Sequence, residues 1–288
     1  MVDVEVLGPA SWNTLIHLDR LPEPRPQTVF ARSAVETLGG TSAGKALHLA
    51  DLGRPVSLTT VVGDDPAGRS VTDALDRAGL AVDRVAAVAG TERHTNLMTR
   101  EGARLSIYLT LPEPAPGALG QVTTTLAGRL ASTRAVVADL AGWTLEVARR
   151  ARVPREMLWT DLHDYDGHAE FHGAFADAAS HVFLNADGTA SPGDLMHRLV
   201  DRGARVVVCT LGADGARAVD ADHREWSVPA SPVAEIVDTN GAGDGFLAGF
   251  LHATLDGADI GAALTAGARQ AARALGSWHL NPLLDAGD

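Results

Sequence analysis

Val56-Ser57-Leu58-Thr59-Thr60-Val61-Val62 leads through Gly63-Asp64-Asp65 into Pro66-Ala67-Gly68-Arg69-Ser70-Val71-Thr72-Asp73-Ala74-Leu75-Asp76-Arg77-Ala78, and Gly79 follows. The first seven residues are a short β-branched run, the composition of a strand. Proline near the start and glycine past the end frame residues 66–78 as a helix. The same alternation recurs outward. Upstream, residues 4–7 read as a strand and 42–52 as a helix closed by Gly53. Downstream, strands at 135–138, 157–160, 181–184 and 205–210 alternate with helices at 145–152, 171–179 and 192–202. Repeated strand–helix units predict an α/β fold, a central mostly parallel sheet sandwiched by helices.

Two regions break this rhythm. Residues 12–36 and 92–111 read as strands with no helix between them, and together they suit a small antiparallel sheet projecting as a lid; surface hairpins with no gating role fit the pattern equally well. Near the end, 215–219 and 224–228 read as a hairpin, followed by long helices at 242–255 and 260–275. No internal repeat or low-complexity linker divides the chain, so residues 1–288 are expected to form a single domain carrying that lid.

The chain has 288 residues, 45% of them hydrophobic, enough for a large core. Its formal net charge is -12, and no Lys/Arg-rich block offers the basic footprint a nucleic-acid partner requires. ATP remains compatible, because Mg²⁺ cancels part of its charge. The single cysteine, Cys209, sits in an apolar run and has no internal partner for a disulfide. No signal-peptide pattern opens the sequence, and no segment nears the roughly 20 apolar residues of a membrane span. The expectation is a cytoplasmic protein.

The stretch Val237-Asp238-Thr239-Asn240-Gly241-Ala242-Gly243-Asp244-Gly245-Phe246 carries chemistry. Its glycines let the backbone turn tightly and approach a ligand. The helix predicted after them aims unpaired N–H groups and a positive dipole end at that turn, an arrangement that binds phosphate. A carboxylate beside an anion site makes sense as a base that takes the proton of an attacking hydroxyl, which singles out Asp244. For an isolated Gly-Asp pair, simple helix capping would be the better explanation.

The whole string resembles the Asp-Thr-x-Gly-Ala-Gly-Asp motif of the PfkB, or ribokinase-like, carbohydrate kinases. The likeness extends to Val6-Leu7-Gly8-Pro9-Ala10-Ser11-Trp12-Asn13, to Leu38-Gly39-Gly40-Thr41-Ser42-Ala43-Gly44-Lys45-Ala46, to Val62-Gly63-Asp64-Asp65, to Asn185 and to Thr210-Leu211-Gly212-Ala213-Asp214-Gly215. It implies in-line transfer of the ATP γ-phosphoryl group to a hydroxyl, with Asp244 as base and the Gly241, Ala242 and Gly243 amides as anion hole. It further implies substrate contacts from Ser11, Asn13, Gly39, Gly40, Thr41, Gly44 and Asp244. ATP contacts would come from Asn185, Thr210, Gly212, Gly215, Gly241 and Gly243. Asp238 would support the loop and a K⁺ site, and Asp187 would reach Mg²⁺ through water. The implied acceptor is a sugar, sugar acid or nucleoside. A homodimer through the lid edge is expected, since an exposed strand seeks a partner; membrane and nucleic-acid partners are not.

The family often has Asp where Asn13 stands and Asn where Gly44 stands, and its Asn-x-x-Glu element reads here Asn185-Ala186-Asp187-Gly188. These departures bear on the substrate and leave two alternatives, an adenosine-type nucleoside kinase and a non-catalytic metabolite-binding relative. Two rival motifs compete. Gly39 to Lys45 fits the first seven positions of a P-loop, and Val136-Val137-Ala138-Asp139 imitates the apolar strand ending in Asp that P-loop proteins use, but Ala46 replaces the metal-binding hydroxyl. The stretch from Asp161 to His172 concentrates potential metal ligands, with His168 and His172 at helical spacing. A solvated loop explains it first and substrate contacts from Asp161 and His163 second. His94, Thr95, Asn96 and Arg104 could face substrate from the lid, although exposed hairpin residues need no such role.

Overall fold

The computed structural model describes residues 2–99 and 102–287. β1 (Val4–Leu7) leads into β2 (Ser11–Leu18), and β3 (Ser33–Gly39) into α1 (Thr41–Asp51). Next come β4 (Val56–Val62), α2 (Pro66–Arg77), β5 (Ala81–Ala86), β6 (Glu92–Thr99) and β7 (Arg104–Thr110). The middle of the chain holds α3 (Ala118–Arg129), β8 (Ala135–Ala138), α4 (Gly142–Arg150), β9 (Leu158–Asp161) and α5 (Glu170–Ala178). β10 (His181–Asn185), α6 (Pro192–Asp201), β11 (Val206–Thr210), β12 (Ala216–Asp220), β13 (Glu225–Val228), α7 (Ala242–Leu255) and α8 (Ile260–Leu275) complete it.

Nine strands form one sheet in the order β13-β12-β11-β10-β9-β8-β1-β4-β5. All pairs are parallel except β11–β12 and β12–β13. Burial on both faces explains the apolar strands: Val137 packs on the side of α1, α7 and α8, while its neighbours Val136 and Ala138 pack on the side of α4, α5 and α6. Pro66 opens α2 after Asp65, whose side chain accepts from the Gly68 N–H as the N-cap. From β1 the strand order runs one way to β4 and the other way to β8. In open α/β sheets, ligands bind beyond the carboxyl ends of strands at such a reversal.

The two irregular regions form a separate four-stranded sheet, β3-β2-β6-β7. Its outer pairs are antiparallel, but β2 and β6 run parallel. β2 continues from β1 and β6 follows β5, both parallel strands of the large sheet, so both leave that sheet in the same direction. No helix among the described residues is long and apolar enough to cross a membrane.

Candidate active site

Four strands of the large sheet end in polar residues on the same rim: Asp139 follows β8, Asp161 ends β9, Asn185 ends β10 and Thr210 ends β11. Opposite the first two, Lys45 projects from α1. Its Nζ lies 3.1 Å from Asp139 Oδ2, 3.3 Å from Asp161 Oδ2 and 2.9 Å from Asp244 Oδ1, and the side chain is wholly enclosed. Ser42 and Thr41 hydroxyls also donate to Asp139 Oδ2, at 2.6 and 3.2 Å. Burial alone would strip the charge from Lys45, but the three carboxylates hold its pKa above the ordinary lysine value. Burial pushes Asp244 up to about 6 even with Lys45 beside it. Burial also opposes the charge on Asp161, yet His163 and Lys45 hold that carboxyl down to about 2.

Asp244 is the third residue of α7. The first helical bond runs from the Gly245 N–H to the Gly241 carbonyl, which leaves the Ala242, Gly243 and Asp244 amides without an intrahelical acceptor. Gly241 has φ 80°, and a Cβ there would sit 2.6 Å from the Leu280 carbonyl oxygen, so the turn requires glycine. A Cβ on Gly243 would instead meet nothing within 4 Å. Open space beside unpaired amides at a helix start suits an anion.

Behind this turn, Asp238 accepts from the Asn240 N–H at 2.6 Å and lies 3.3 Å from His17 Nε2 on β2. It thereby ties the loop to the small sheet. His48 of α1 braces the turn from below. Its Nε2–H donates to the Leu280 carbonyl at 2.9 Å, so Nδ1 is left to accept from the Gln270 and Asn281 amides. Burial lowers this histidine to about 4.

Farther along the same rim, Asn185 and Thr210 stand opposite each other in register. Asn185 Oδ1 accepts from the Asp187 N–H at 2.9 Å, leaving the Asp187 carboxylate exposed. Gly212 opens the short turn of residues 212–214, and Gly215 precedes β12.

The inner face of the small sheet is polar. Register places Ser11 opposite Glu92, Asn13 opposite His94, and Leu15 opposite Asn96. Ser11 Oγ, Asn13 Oδ1, His94 Nε2 and Asn96 Oδ1 are buried without a hydrogen-bond partner. His94 Nε2 is 2.9 Å from Glu92 Oε1 but out of line for a hydrogen bond. Each such buried orphan costs about 1–3 kcal/mol. Such groups ordinarily find a partner in the protein or in water, so their clustering on one face is notable. Gly39 borders it, because a Cβ there would run into the Asn13 amide and lie 2.8 Å from Ser11 Oγ.

The structure thus brings Gly39 beside Ser11 and Asn13, and Gly44 beside Asp244. Gly40 is the N-cap before α1, and the Thr41 hydroxyl is engaged with Asp139. At Gly44, a Cβ would lie only 2.5 Å from Asp244 Oδ2. The P-loop alternative fails, because the strand before Gly40 belongs to the antiparallel β2–β3 pair and Lys45 points into carboxylates. The histidine pair fails as well. His168 lies ahead of α5, His172 stacks on Tyr165 at 5.6 Å, and no trio of His, Cys, Asp or Glu among the described residues is arranged to hold a metal. Sequence reasoning missed the pairing of Lys45 with Asp244. The available signal was the only lysine in the chain, next to a glycine in the substrate motif.

Comparison with known proteins completes the picture. A sequence model of the pfkB family of carbohydrate kinases matches residues 1–118 and 178–280. The chain belongs to that family. This pfkB-family kinase is 34% identical over 274 residues to acarbose 7(IV)-phosphotransferase of an Actinoplanes species, spanning 92% of this chain and 89% of that one. It is 26% identical to a nucleoside kinase of Methanothermobacter thermautotrophicus, covering 90% and 84%. Among solved structures, the microbiome-derived acarbose kinase Mak1 superimposes with a TM-score of 0.81 at 31% identity, covering 96% and 93%. Arabidopsis thaliana ribokinase with ribose and ATP shares the fold, with a TM-score of 0.75 at 20% identity and 98% and 96% covered. The enzyme is therefore an ATP-dependent kinase of sugar-like molecules, and the binding-only alternative falls away.

Proposed function

We propose that Asp244 is the general base of this kinase and that its acceptor is a carbohydrate, with acarbose-type oligosaccharides the first candidates. In the reaction the acceptor oxygen attacks the γ-phosphorus of ATP, the bond to the ADP oxygen breaks, and the acceptor proton passes to Asp244. The Ala242 and Gly243 amides stabilise the charge on the moving phosphoryl oxygens. The observation that carries this reading is a buried carboxylate beside three unpaired amides and open space at the start of α7.

The acceptor side follows from the orphans. Asn13 Oδ1 and Asn96 Oδ1 accept hydrogen bonds, and Ser11 Oγ both donates and accepts, which matches a row of hydroxyl groups. Closure of the small sheet as a lid would complete these bonds and exclude water. Magnesium arrives with ATP, and Asp187 is the residue that would hold its bound water. Asp238, buried behind the anion turn, would support potassium there, which a comparison of rates in KCl and NaCl tests. The exposed strand β7, with Leu105, Ile107 and Tyr108 on its surface, would be the edge where a second copy pairs; the mass in solution tests that.

The decisive experiment measures ADP release from MgATP against acarbose, ribose, fructose derivatives and nucleosides, with Asp244→Asn beside the native enzyme. Turnover of a sugar that disappears in the variant supports the reading. Preference for a nucleoside would replace the acceptor class, and normal turnover by the variant would remove Asp244 as base.

A further inference from the structure

Gly44 and Lys45 are consecutive on α1, and both meet Asp244, each at a different carboxylate oxygen. A Cβ at residue 44 would lie 2.5 Å from Oδ2 and 3.0 Å from Cγ, so any side chain there displaces the carboxylate. Lys45 Nζ holds the other oxygen, Oδ1, at 2.9 Å. Lys45 has no freedom to turn away. It is fully enclosed, and Asp139 and Asp161 flank the ammonium at 3.1 and 3.3 Å.

The charged and titratable groups around Asp244 come from each element packed on it. α1 supplies Lys45 and, beneath Gly245, the neutral ring of His48; the end of β8 supplies Asp139; and the end of β9 supplies Asp161 with His163 behind it. Three carboxylates therefore share one ammonium in a dry setting. Like charges and burial both favour protonation of a carboxyl, and a protonated carboxyl cannot accept a proton.

We propose that the Gly44–Lys45 pair is the positioning device of the base, Gly44 making room for the carboxylate and Lys45 keeping it ionised with Oδ2 turned to the acceptor. The inference rests on the reading of Asp244 as base. Lys45 is a positioning residue, since it acts through Asp244 rather than on the reacting atoms.

Charge arithmetic gives the device a signature that a packing role lacks. Removing Lys45 leaves Asp244 facing Asp139 and Asp161 alone, which raises its titration midpoint. Removing the charge of Asp139 lowers it. Lys45→Met and Asp139→Asn should move the midpoint in opposite directions, by about one pH unit or more each. The measurement is a ¹³C NMR titration of protein labelled at the aspartate carboxyl carbons, with Asp244→Asn identifying the signal of residue 244.

The native signal should titrate near pH 6. The acidic limb of kcat/KM, measured with whichever sugar the ADP-release panel turns over, should follow the same two shifts. Lys45→Met should recover activity as the pH rises, with kcat changing more than KM. Gly44→Ala should lower kcat at least about tenfold by displacing the carboxylate. Coincident midpoints in native, Lys45→Met and Asp139→Asn proteins would overturn the proposal. Should Lys45→Met fail to fold, Asp139→Asn decides alone, since a midpoint that does not fall refutes it. Normal turnover by Asp244→Asn would sink the base reading instead, and a dead Asp244→Asn with unmoved midpoints would sink only the pair.

Discussion

Along the rim of the large sheet the Lys45 ammonium meets three carboxylates, whereas on the small sheet Ser11, Asn13 and Asn96 bury polar atoms that have no hydrogen-bond partner. The contrast separates two tasks. On the function proposed above, groups that act on the phosphoryl transfer are fixed in advance, because a preorganised charge needs no reorganisation as the reaction proceeds. On the same reading, groups that choose the acceptor stay unsatisfied until a substrate with the right hydroxyls supplies what is missing, and one without them leaves the cost in place.

Breaking the fixed side should have the largest effect. Asp244→Asn is expected to lower kcat by about 10³-fold or more, the scale of a lost general base, with ATP affinity nearly unchanged; ADP release and nucleotide titration measure the two. Behind the same side, His48 links stability to pH. Its folded pKa of about 4 lies below the ordinary 6.5, so the neutral form stabilises the fold fully above pH 6.5 and this contribution is lost as pH falls towards 4. Between pH 7 and pH 4 the native protein should lose on the order of 3 kcal/mol more than His48→Gln, read from urea unfolding. Glu5, which burial raises to about 7, acts in the opposite direction but is common to both proteins and cancels in the difference.

Gly243→Val tests the space between the two sides. Nothing lies within 4 Å of its Cβ position, so the fold should tolerate the change while the crowded anion turn slows kcat by about tenfold to a hundredfold. A normal rate with an unchanged melting temperature would show that the phosphoryl group passes elsewhere. The smallest effect belongs to the open side. Asn96→Ala removes one orphan and should raise KM for the acceptor about tenfold with kcat held, and a fall in kcat instead would place Asn96 in the chemistry.

Most of the fold was legible because the signals are local. The strands Val4–Leu7, Val56–Val62 and Ala135–Ala138 and both terminal helices fall where the sequence reading puts them. β5 and α3 were not anticipated. β5 is an edge strand in which only Val85 is buried, and α3 carries Thr123, Thr124 and Thr125 between two glycines with only Val122 and Leu126 buried, so neither shows a clean period. The anion turn could be read from ten consecutive residues. The Lys45 cluster could not, because its members come from four separate elements and a lysine ordinarily stays in water. The space beside Gly44 was hidden for the same reason: the side chain that fills it belongs to Asp244 on a distant helix.

The same cluster has a consequence for how the protein is made. Lys45 pairs with Asp139 across 94 residues and with Asp244 across 199. A chain emerging from the ribosome reaches the first partner long before the second. Contacts so far apart in sequence close late, after the intervening loops have been ordered. Until α7 has been synthesised and docked, the lysine lacks its third carboxylate, and the proposed base is absent altogether. With Asp244 as the base, chains that stop short of α7 should have no partial activity, and the first turnover should coincide with completion of the fold.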